Sequence, residues 1–265
     1  MSKAVEVDIS EGIATLSFNR PKALNALNAD LVDDLVAAAS EAEFDESVRC
    51  VVLRGEGDHY MAGGDIKFFL DTLDDPAAKR RVLYEAFIDN AHRAIVAFRR
   101  MPKPVIASVR GAAAGGGLGF VVCCDIAIAA DDAQFTYAYN YLGTAPDSST
   151  SYHLPRQIGL RRALGMAYLN EPVDAQTALA WGLVNKVVPA ADLDAETRAA
   201  ARKIANGATK AFAATKRLMM QAQYSQLEAQ LKAEAAAFAD CTLTEDFAEG
   251  VNAFVQKRKP DFKGR

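Results

Sequence analysis

The chain has 265 residues, of which 51% are hydrophobic and 24% are charged, and its net charge at pH 7 is −4. This length suits one large domain, or one domain with an appendage, and is enough to bury a sizeable core. The acidic balance argues against nucleic acid as the main partner, because phosphate contacts need a basic surface.

Neither a membrane partner nor an export signal is expected. The longest apolar runs end well short of the roughly 20 residues that a membrane-spanning helix needs, and residues 1–7 lack the apolar stretch of a signal peptide. The four cysteines form no CxxC pair and no zinc-ligand spacing, so we expect reduced thiols and no metal site. These patterns predict a cytoplasmic protein.

The first hundred residues predict strands and helices in alternation. Residues 4–9 and 13–18 alternate apolar with polar side chains around Glu11-Gly12, which is typical of a β-hairpin. Asn28 can cap a helix that ends near residue 44, and residues 50–53 form a short apolar run that suits a buried strand.

The same order continues to residue 129. Residues 76–100 predict a long helix, which two prolines end before a strand at 105–109. A glycine-rich segment then precedes a helix to about residue 124 and a strand at 126–129. This order of strand, glycine loop and helix indicates a layered α/β architecture.

Beyond residue 148 the pattern is mainly helical, and only residues 184–188 suggest a strand. We predict helices at 174–181, 192–206, 209–240 and 244–257. The boundary is placed at residue 192, which gives a core of residues 1–191 and a helical C-terminal region of residues 192–265. These helices must pack on the core or on another subunit, because their apolar faces need a partner.

Two glycine segments are candidates for binding an anionic oxygen. Gly115-Gly116-Gly117 lies between a strand and a helix, where free backbone N–H groups point outward. Gly63-Gly64 precedes a second short helix. Two such donors aimed at one point would form an oxyanion hole, although a tight turn explains each segment equally well. Neither segment fits a nucleotide-binding loop, since Phe120 stands where the dinucleotide motif needs glycine.

Several motifs, in their order and spacing, give the chain a resemblance to a known family over nearly its whole length. The chain resembles the enoyl-CoA hydratase/isomerase (crotonase) family. The motifs are Met61-Ala-Gly-Gly-Asp-Ile-Lys67, Gly111-Ala-Ala-Ala-Gly-Gly-Gly-Leu-Gly119, Cys124-Asp125, Ala133-Gln-Phe135, Leu142-Gly143 and Phe254-Val-Gln-Lys-Arg-Lys-Pro-Asp-Phe-Lys-Gly264.

The resemblance implies an α/β spiral of ββα units with a helical C-terminal region that forms homotrimers or dimers of trimers. It implies an acyl-CoA substrate whose thioester carbonyl is held by the amides of Gly64 and Gly116, with no cofactor besides the CoA of the substrate. It also implies a set of residues that bind CoA: Lys22, Ala23, Leu24, Ala62, Asp65 and Ile66. To these we add Phe254 and Lys257 of the C-terminal region, which are expected to reach a neighbouring subunit.

The catalytic side chains differ from those of the family's hydratases. Those enzymes carry two glutamates, and the matching positions here hold Gly119 and Tyr139. An acid stands instead at Asp147, where the resemblance implies the active carboxylate of several isomerases and the nucleophile of 4-chlorobenzoyl-CoA dehalogenases. Judged from the residues alone, Asp147 is better explained as a cap of the helix that follows it.

His92 and a set of tyrosines complete the candidate site. His92 matches the histidine that activates water in the dehalogenases, although its place on a helix stripe also suits a residue at the edge of the core. Tyr137, Tyr139 and Tyr141 alternate, so an extended segment would direct all three rings to one face.

We predict an enzyme that shifts a double bond from 3-enoyl-CoA to 2-enoyl-CoA through an enolate, with Asp147 as base. Two alternatives lie in the same family: a dehalogenase or hydrolase of aryl-CoA that uses Asp147 as nucleophile and His92 as base, and an atypical enoyl-CoA hydratase. A non-catalytic binding protein is a fourth possibility, which the presence of both glycine donors beside an acid disfavours.

Overall fold

The computed structural model describes residues 3–265 and contains nine strands and eleven α-helices within that range. The strands are β1 Val5–Ser10, β2 Ile13–Phe18, β3 Cys50–Gly55, β4 Val105–Val109, β5 Ala112–Ala114, β6 Ile126–Ala130, β7 Gln134–Thr136, β8 Val173–Asp174 and β9 Lys186–Val188. The helices are α1 Ala29–Phe44, α2 Ile66–Leu70, α3 Ala77–Arg100, α4 Gly116–Val122, α5 Thr150–Ile158, α6 Leu160–Leu169, α7 Ala175–Trp181, α8 Leu193–Ala205, α9 Thr209–Ala222, α10 Leu227–Thr242 and α11 Glu245–Val255.

A six-stranded sheet in the order β1-β2-β3-β4-β6-β9 forms the centre of the molecule. The predicted hairpin is confirmed: β1 and β2 pair antiparallel, and Glu11 and Gly12 between them both have positive φ, as a tight primed turn requires. Every other neighbouring pair in this sheet is parallel. The layered α/β architecture is therefore confirmed.

Both faces of the sheet are covered, because side chains alternate between two apolar layers. Val51 and Leu53 of β3 point into the larger core, which α1, α3 and α4 help to form. Cys50 and Val52 point the other way, into a smaller core with Leu193 of α8. The helix α8 thus covers the sheet, whereas the division of the chain at residue 192 stays a prediction.

A second sheet of three short strands, in the order β5-β7-β8, positions the glycine segments. The sequence did not predict it. Two isolated bridges extend its edge, from Ala113 to Met61 and from Gly64 to Leu27. These bridges bring residues 61–64 beside the segment that leads into α4.

The prediction of one helix over residues 209–240 is wrong. Two antiparallel helices, α9 and α10, replace it. The Ser225 hydroxyl donates to the Gln221 carbonyl at the end of α9, and the Gln230 side-chain amide donates back to the Leu218 carbonyl. These bonds satisfy polar groups at the reversal, which lies in a stretch without proline or glycine.

The C-terminal helices are joined to the core by a partly buried ion pair. The Lys216 ammonium of α9 lies 2.7 Å from the Asp125 carboxylate and also donates to the carbonyls of Phe98 and Lys103. No helix within residues 3–265 combines the length and the apolar character needed to cross a bilayer.

Candidate active site

The two glycine segments lie side by side in the structure. The Met61 amide donates to the Ala112 carbonyl at 3.0 Å, and the Ala114 amide donates to the Met61 carbonyl at 2.9 Å. A Cβ placed on Gly63 would lie 3.8 Å from Gly115 Cα. Main-chain pairing therefore sets the spacing between the two segments.

The amides of Gly64 and Gly116 are free in the described part of the chain. The bonds around Gly64 run from the Leu27 amide to the Gly63 carbonyl and from the Asp65 amide to the Leu27 carbonyl, which leaves out the Gly64 N–H. Gly116 is the first residue of α4, so its N–H has no partner within the helix. Both amides can bind an outside acceptor, and their role as an oxyanion hole stays a prediction.

Asp147 lies next to the second of these amides. Its Oδ1 atom would be 3.9 Å from a Cβ placed on Gly116, and it accepts a 2.8 Å hydrogen bond from the Tyr139 hydroxyl. The carboxylate does not cap a helix, because α5 begins at Thr150 and its capping residue, Ser149, uses no side-chain bond. The simpler interpretation of Asp147 as a helix cap is therefore wrong.

Tyr139 is buried and holds its proton firmly. Burial, and then the negative charge of Asp147, raise the pKa of the Tyr139 hydroxyl well above its usual value. The hydroxyl also lies 3.1 Å from Thr150 Oγ1 and 3.2 Å from the Asp147 carbonyl. It consequently acts as a donor that orients the carboxylate.

The prediction that three tyrosines share one face of an extended segment is wrong. Tyr139 begins a short 3₁₀ helix, Tyr139–Leu142, and Ala138 before it has a positive φ of 61°. The rings of Tyr137 and Tyr139 meet edge to face at 5.1 Å. Tyr141 turns away, and its hydroxyl donates to the Asn170 carbonyl.

A strained turn follows Asp147 and is held by His92. Ser148 and Ser149 both have positive φ, 46° and 63°, which is rare for residues other than glycine. The Ser148 amide donates to Nε2 of His92 at 3.2 Å. The half-buried imidazole is thus in contact with the main chain that carries Asp147, with its Nε2 lone pair occupied.

The same turn closes the space above Gly119. A Cβ on Gly119 would lie 2.5 Å from Ser148 Cβ and would overlap the Ser148 carbonyl oxygen. Glycine is required here by this close approach of the main chain. No longer side chain fits at position 119 unless the turn moves.

The family of the chain follows from comparison with known proteins. A family model described as enoyl-CoA hydratase/isomerase matches residues 8–265. The chain belongs to the enoyl-CoA hydratase/isomerase family.

Relatives in this family carry different activities in their names. The chain is 37% identical to a probable enoyl-CoA hydratase of Rhodobacter capsulatus, over 98% of each chain. It is 33% identical to the 1,2-epoxyphenylacetyl-CoA isomerase of Escherichia coli, over 97% of each. It is 34% identical to a 4-chlorobenzoyl coenzyme A dehalogenase-2 of an Arthrobacter species, over 84% of this chain and 80% of that one.

A solved structure confirms the fold class. The crystal structure of an enoyl-CoA hydratase from Polaromonas superimposes with a TM-score of 0.92 at 30% identity and covers 98% of this chain and 99% of that one. The architecture is accordingly the crotonase fold with a helical C-terminal region.

Six of the predicted CoA-binding residues lie on two segments, 22–24 and 62–66, that are in contact in the structure. The Ala62 amide donates to the Leu24 carbonyl at 3.0 Å, which joins the segment 22–24 to the segment 62–66. Lys22, Leu24 and Ile66 are exposed along this edge. Their part in binding CoA stays a prediction.

Arg20 and Asp65 fasten the same two segments. The Arg20 guanidinium lies 2.7 Å from the Asp65 carboxylate and also donates to the Ala26 carbonyl. The Asp65 side chain caps α2 through the Lys67 amide as well. No residue pattern indicated a role for Arg20, and the carboxylate of Asp65 is already bonded within the protein.

Phe254 and Lys257 lie apart from these segments. Phe254 is 86% exposed on α11, and Lys257 is exposed just beyond that helix. Their contact with the CoA of a neighbouring subunit stays a prediction. Within residues 3–265, no three His, Cys, Asp or Glu side chains form a cluster able to hold a metal ion.

Proposed function

We propose that this family member converts 3-enoyl-CoA thioesters into 2-enoyl-CoA thioesters. The thioester oxygen accepts hydrogen bonds from the amides of Gly64 and Gly116, which stabilises the negative charge that develops there. Asp147 removes a proton from C2, and the electron pair moves into a dienolate. The same carboxyl returns the proton to C4, so that the double bond shifts and no atom is gained or lost.

The observation that carries this proposal is the position of the Asp147 carboxylate. It lies 3.9 Å from a Cβ placed on Gly116 and is oriented through Oδ1 by the Tyr139 hydroxyl. That bond engages only one of the two carboxylate oxygens. The other oxygen, Oδ2, is left to carry the proton between the two carbons.

Two structural features disfavour the alternative reactions. Hydration by the usual glutamate pair has no carboxylate at position 139 and no room for one at position 119. Dehalogenation needs a base for water, but the Nε2 lone pair of His92 is occupied by the Ser148 amide. The similarity to a 1,2-epoxyphenylacetyl-CoA isomerase also supports an isomerase.

The proposed reaction needs an acyl-CoA substrate and no further cofactor. The two main-chain amides stabilise the developing negative charge, and one carboxylate transfers the proton. Neither nucleic acid nor a membrane takes part. We also propose that the chain acts as a homotrimer or a dimer of trimers, so that Phe254 and Lys257 can contact the CoA of a neighbour. Apolar side chains that are exposed on the C-terminal helices, such as Phe238 and Leu243, support this assembly.

The test compares wild type with Asp147→Asn on 3-enoyl-CoA, 2-enoyl-CoA and 4-chlorobenzoyl-CoA. Wild type is expected to isomerise 3-enoyl-CoA. The variant keeps an oxygen for the Tyr139 hydroxyl but loses the base, so its rate should fall by about a hundredfold or more. Asp174→Asn is the matched control: Asp174 caps α7 through the Thr177 amide, and asparagine caps equally well.

A second variant separates isomerase from dehalogenase. His92→Ala removes the acceptor of the Ser148 amide and should lower isomerisation by only about three- to tenfold. A dehalogenase would instead stop after the aryl-enzyme ester forms. Full activity of Asp147→Asn would refute the proposal, and failure of wild type to turn over any acyl-CoA would favour a binding protein.

A further inference from the structure

Four aromatic rings form a continuous cluster between α2 and α3. The Phe68 ring lies 5.1 Å from Phe87 and 5.7 Å from Tyr84, and the Phe69 ring lies 6.0 Å from Phe68 and 5.7 Å from Tyr84, between ring centroids. The Thr72 hydroxyl is hydrogen-bonded both to the Tyr84 hydroxyl and to the Phe69 carbonyl. These bonds hold the end of α2, and with it the Phe69 ring, against α3.

Phe69 fills the space that a side chain at position 64 would occupy. A Cβ placed on Gly64 would lie 2.8 Å from Phe69 Cε2 and would overlap Cζ. The tip of the ring therefore stands against the Cα atom beside the free Gly64 amide. An acyl group whose carbonyl binds that amide has the Phe69 ring as its immediate neighbour.

One face of α3 connects the cluster to the turn that carries Asp147. Tyr84, Ile88 and His92 are spaced four residues apart on α3, so they lie along one face of that helix. Tyr84 is the cluster's ring at one end of this face, where it meets Phe69, and His92 contacts the Ser148 amide at the other end. The face runs from the rings at Gly64 to the turn that carries Asp147.

We infer that Phe69 is a specificity-determining residue that makes this site prefer acyl groups with a flat aromatic ring near the thioester. Aromatic pairs gain from offset or edge-to-face contact beyond the area that they bury, and a saturated ring of the same size lacks this gain. The inference rests on the proposed function for the position of the carbonyl at Gly64. It does not depend on Asp147 acting as a base.

The test is equilibrium binding of two thioesters of the same size, phenylacetyl-CoA and cyclohexylacetyl-CoA. Wild type is expected to bind the aromatic ligand about 2- to 12-fold more tightly. Phe69→Leu keeps an apolar side chain without a ring and should reduce this ratio to about one. Leu70→Ala, which changes an exposed neighbour on α2, should leave the ratio at its wild-type value.

A second variant changes the residue that the Phe69 ring contacts. Gly64→Ala keeps the amide but adds the Cβ that overlaps Phe69, so it should push the ring aside and abolish the preference. In a Phe69→Ala background the same change should not alter the ratio. Because binding needs no turnover, an enzyme that fails the isomerase test can still pass this one. Equal binding of the two ligands by wild type, or an unchanged ratio in Phe69→Leu, would overturn the inference.

Discussion

The hydrogen bond from the Tyr139 hydroxyl to Asp147, beside Gly116, leads to a prediction about a single hydroxyl. Tyr139→Phe removes the donor to Asp147 Oδ1 and leaves the buried ring. Since a hydrogen bond to a charged group is worth about 1.5–3 kcal/mol, kcat should fall about tenfold or more, with a smaller change in KM. Steady-state kinetics on 3-enoyl-CoA measure both.

Tyr141→Phe is the control for this experiment. It also removes one tyrosine hydroxyl, but that hydroxyl donates to the Asn170 carbonyl and not to Asp147. Its kcat should match that of wild type. An equal loss in both variants would mean that the Tyr139 hydroxyl has no special role in orienting the carboxylate.

The close contact between Gly119 and Ser148 leads to a prediction about stability. Gly119→Ala forces a methyl group against Ser148 and should lower the free energy of unfolding by about 1–3 kcal/mol. Gly165→Ala in α6 meets no atom within 4 Å and should be neutral or stabilising by up to about 1 kcal/mol. Urea unfolding of both variants measures the difference, and similar stability of the two would contradict the close contact at Ser148.

Helix α5 contains a histidine, His153, that resists protonation. Burial first, and then the charges of Arg99 and Arg156, lower the pKa of His153 from 6.5 to about 4. The unfolded chain takes up this proton near pH 6.5, whereas the folded chain takes it up only near pH 4. The free energy of unfolding should therefore decrease as the pH falls through this window.

His153→Gln tests this assignment. Glutamine does not titrate, so the stability of the variant should depend less on pH between about 6.5 and 4 than that of wild type. Thermal or urea unfolding across this range measures both slopes. At pH 7.5 the histidine is neutral in both states, so any difference found there reports packing alone. Parallel curves for the two proteins would contradict the assignment.

The larger elements could be predicted from the sequence because their patterns are local. The hairpin shows alternation, α1 follows the capping residue Asn28, whose side chain accepts from the Leu31 amide, and α3 follows Pro76. The strands of the second sheet are two or three residues long, too short to show a period. Their pairing joins residues that are distant in the chain, such as Ala113 and Phe135.

The candidate site was predictable to a similar extent. The resemblance pointed to Gly64, Gly116 and Asp147, and the structure brings these three positions near one another. The bond between Tyr139 and Asp147 depends on the 3₁₀ helix and on the left-handed turn at residues 148–149. No residue pattern predicts either of these two features. The contact of Phe69 with Gly64 depends on how α2 packs against α3, which is a tertiary property.

The exposed apolar side chains of the C-terminal helices predict that the chain assembles with copies of itself. Phe238 and Leu243 are 70% and 85% exposed in the single chain. Burying such residues against another subunit is favourable. Analytical ultracentrifugation at micromolar concentration should give three or six times the mass of one chain.

Leu243→Arg provides a variant for this prediction. It places a charge among these apolar residues and should shift the assembly toward smaller species. Phe44→Arg, at the exposed end of α1, serves as the control and should sediment like wild type. A wild-type protein that sediments as a monomer would contradict the predicted trimer.

The main-chain bonds between Met61 and residues 112–114 have a consequence for how such a site evolves. They set the separation of the two free amides without help from any side chain. Substitutions around the acyl group can therefore accumulate while the proposed carbonyl-binding pair of amides is inherited unchanged. One scaffold could in this way acquire a new reaction by replacing a base or a ring, without rebuilding that pair of amides.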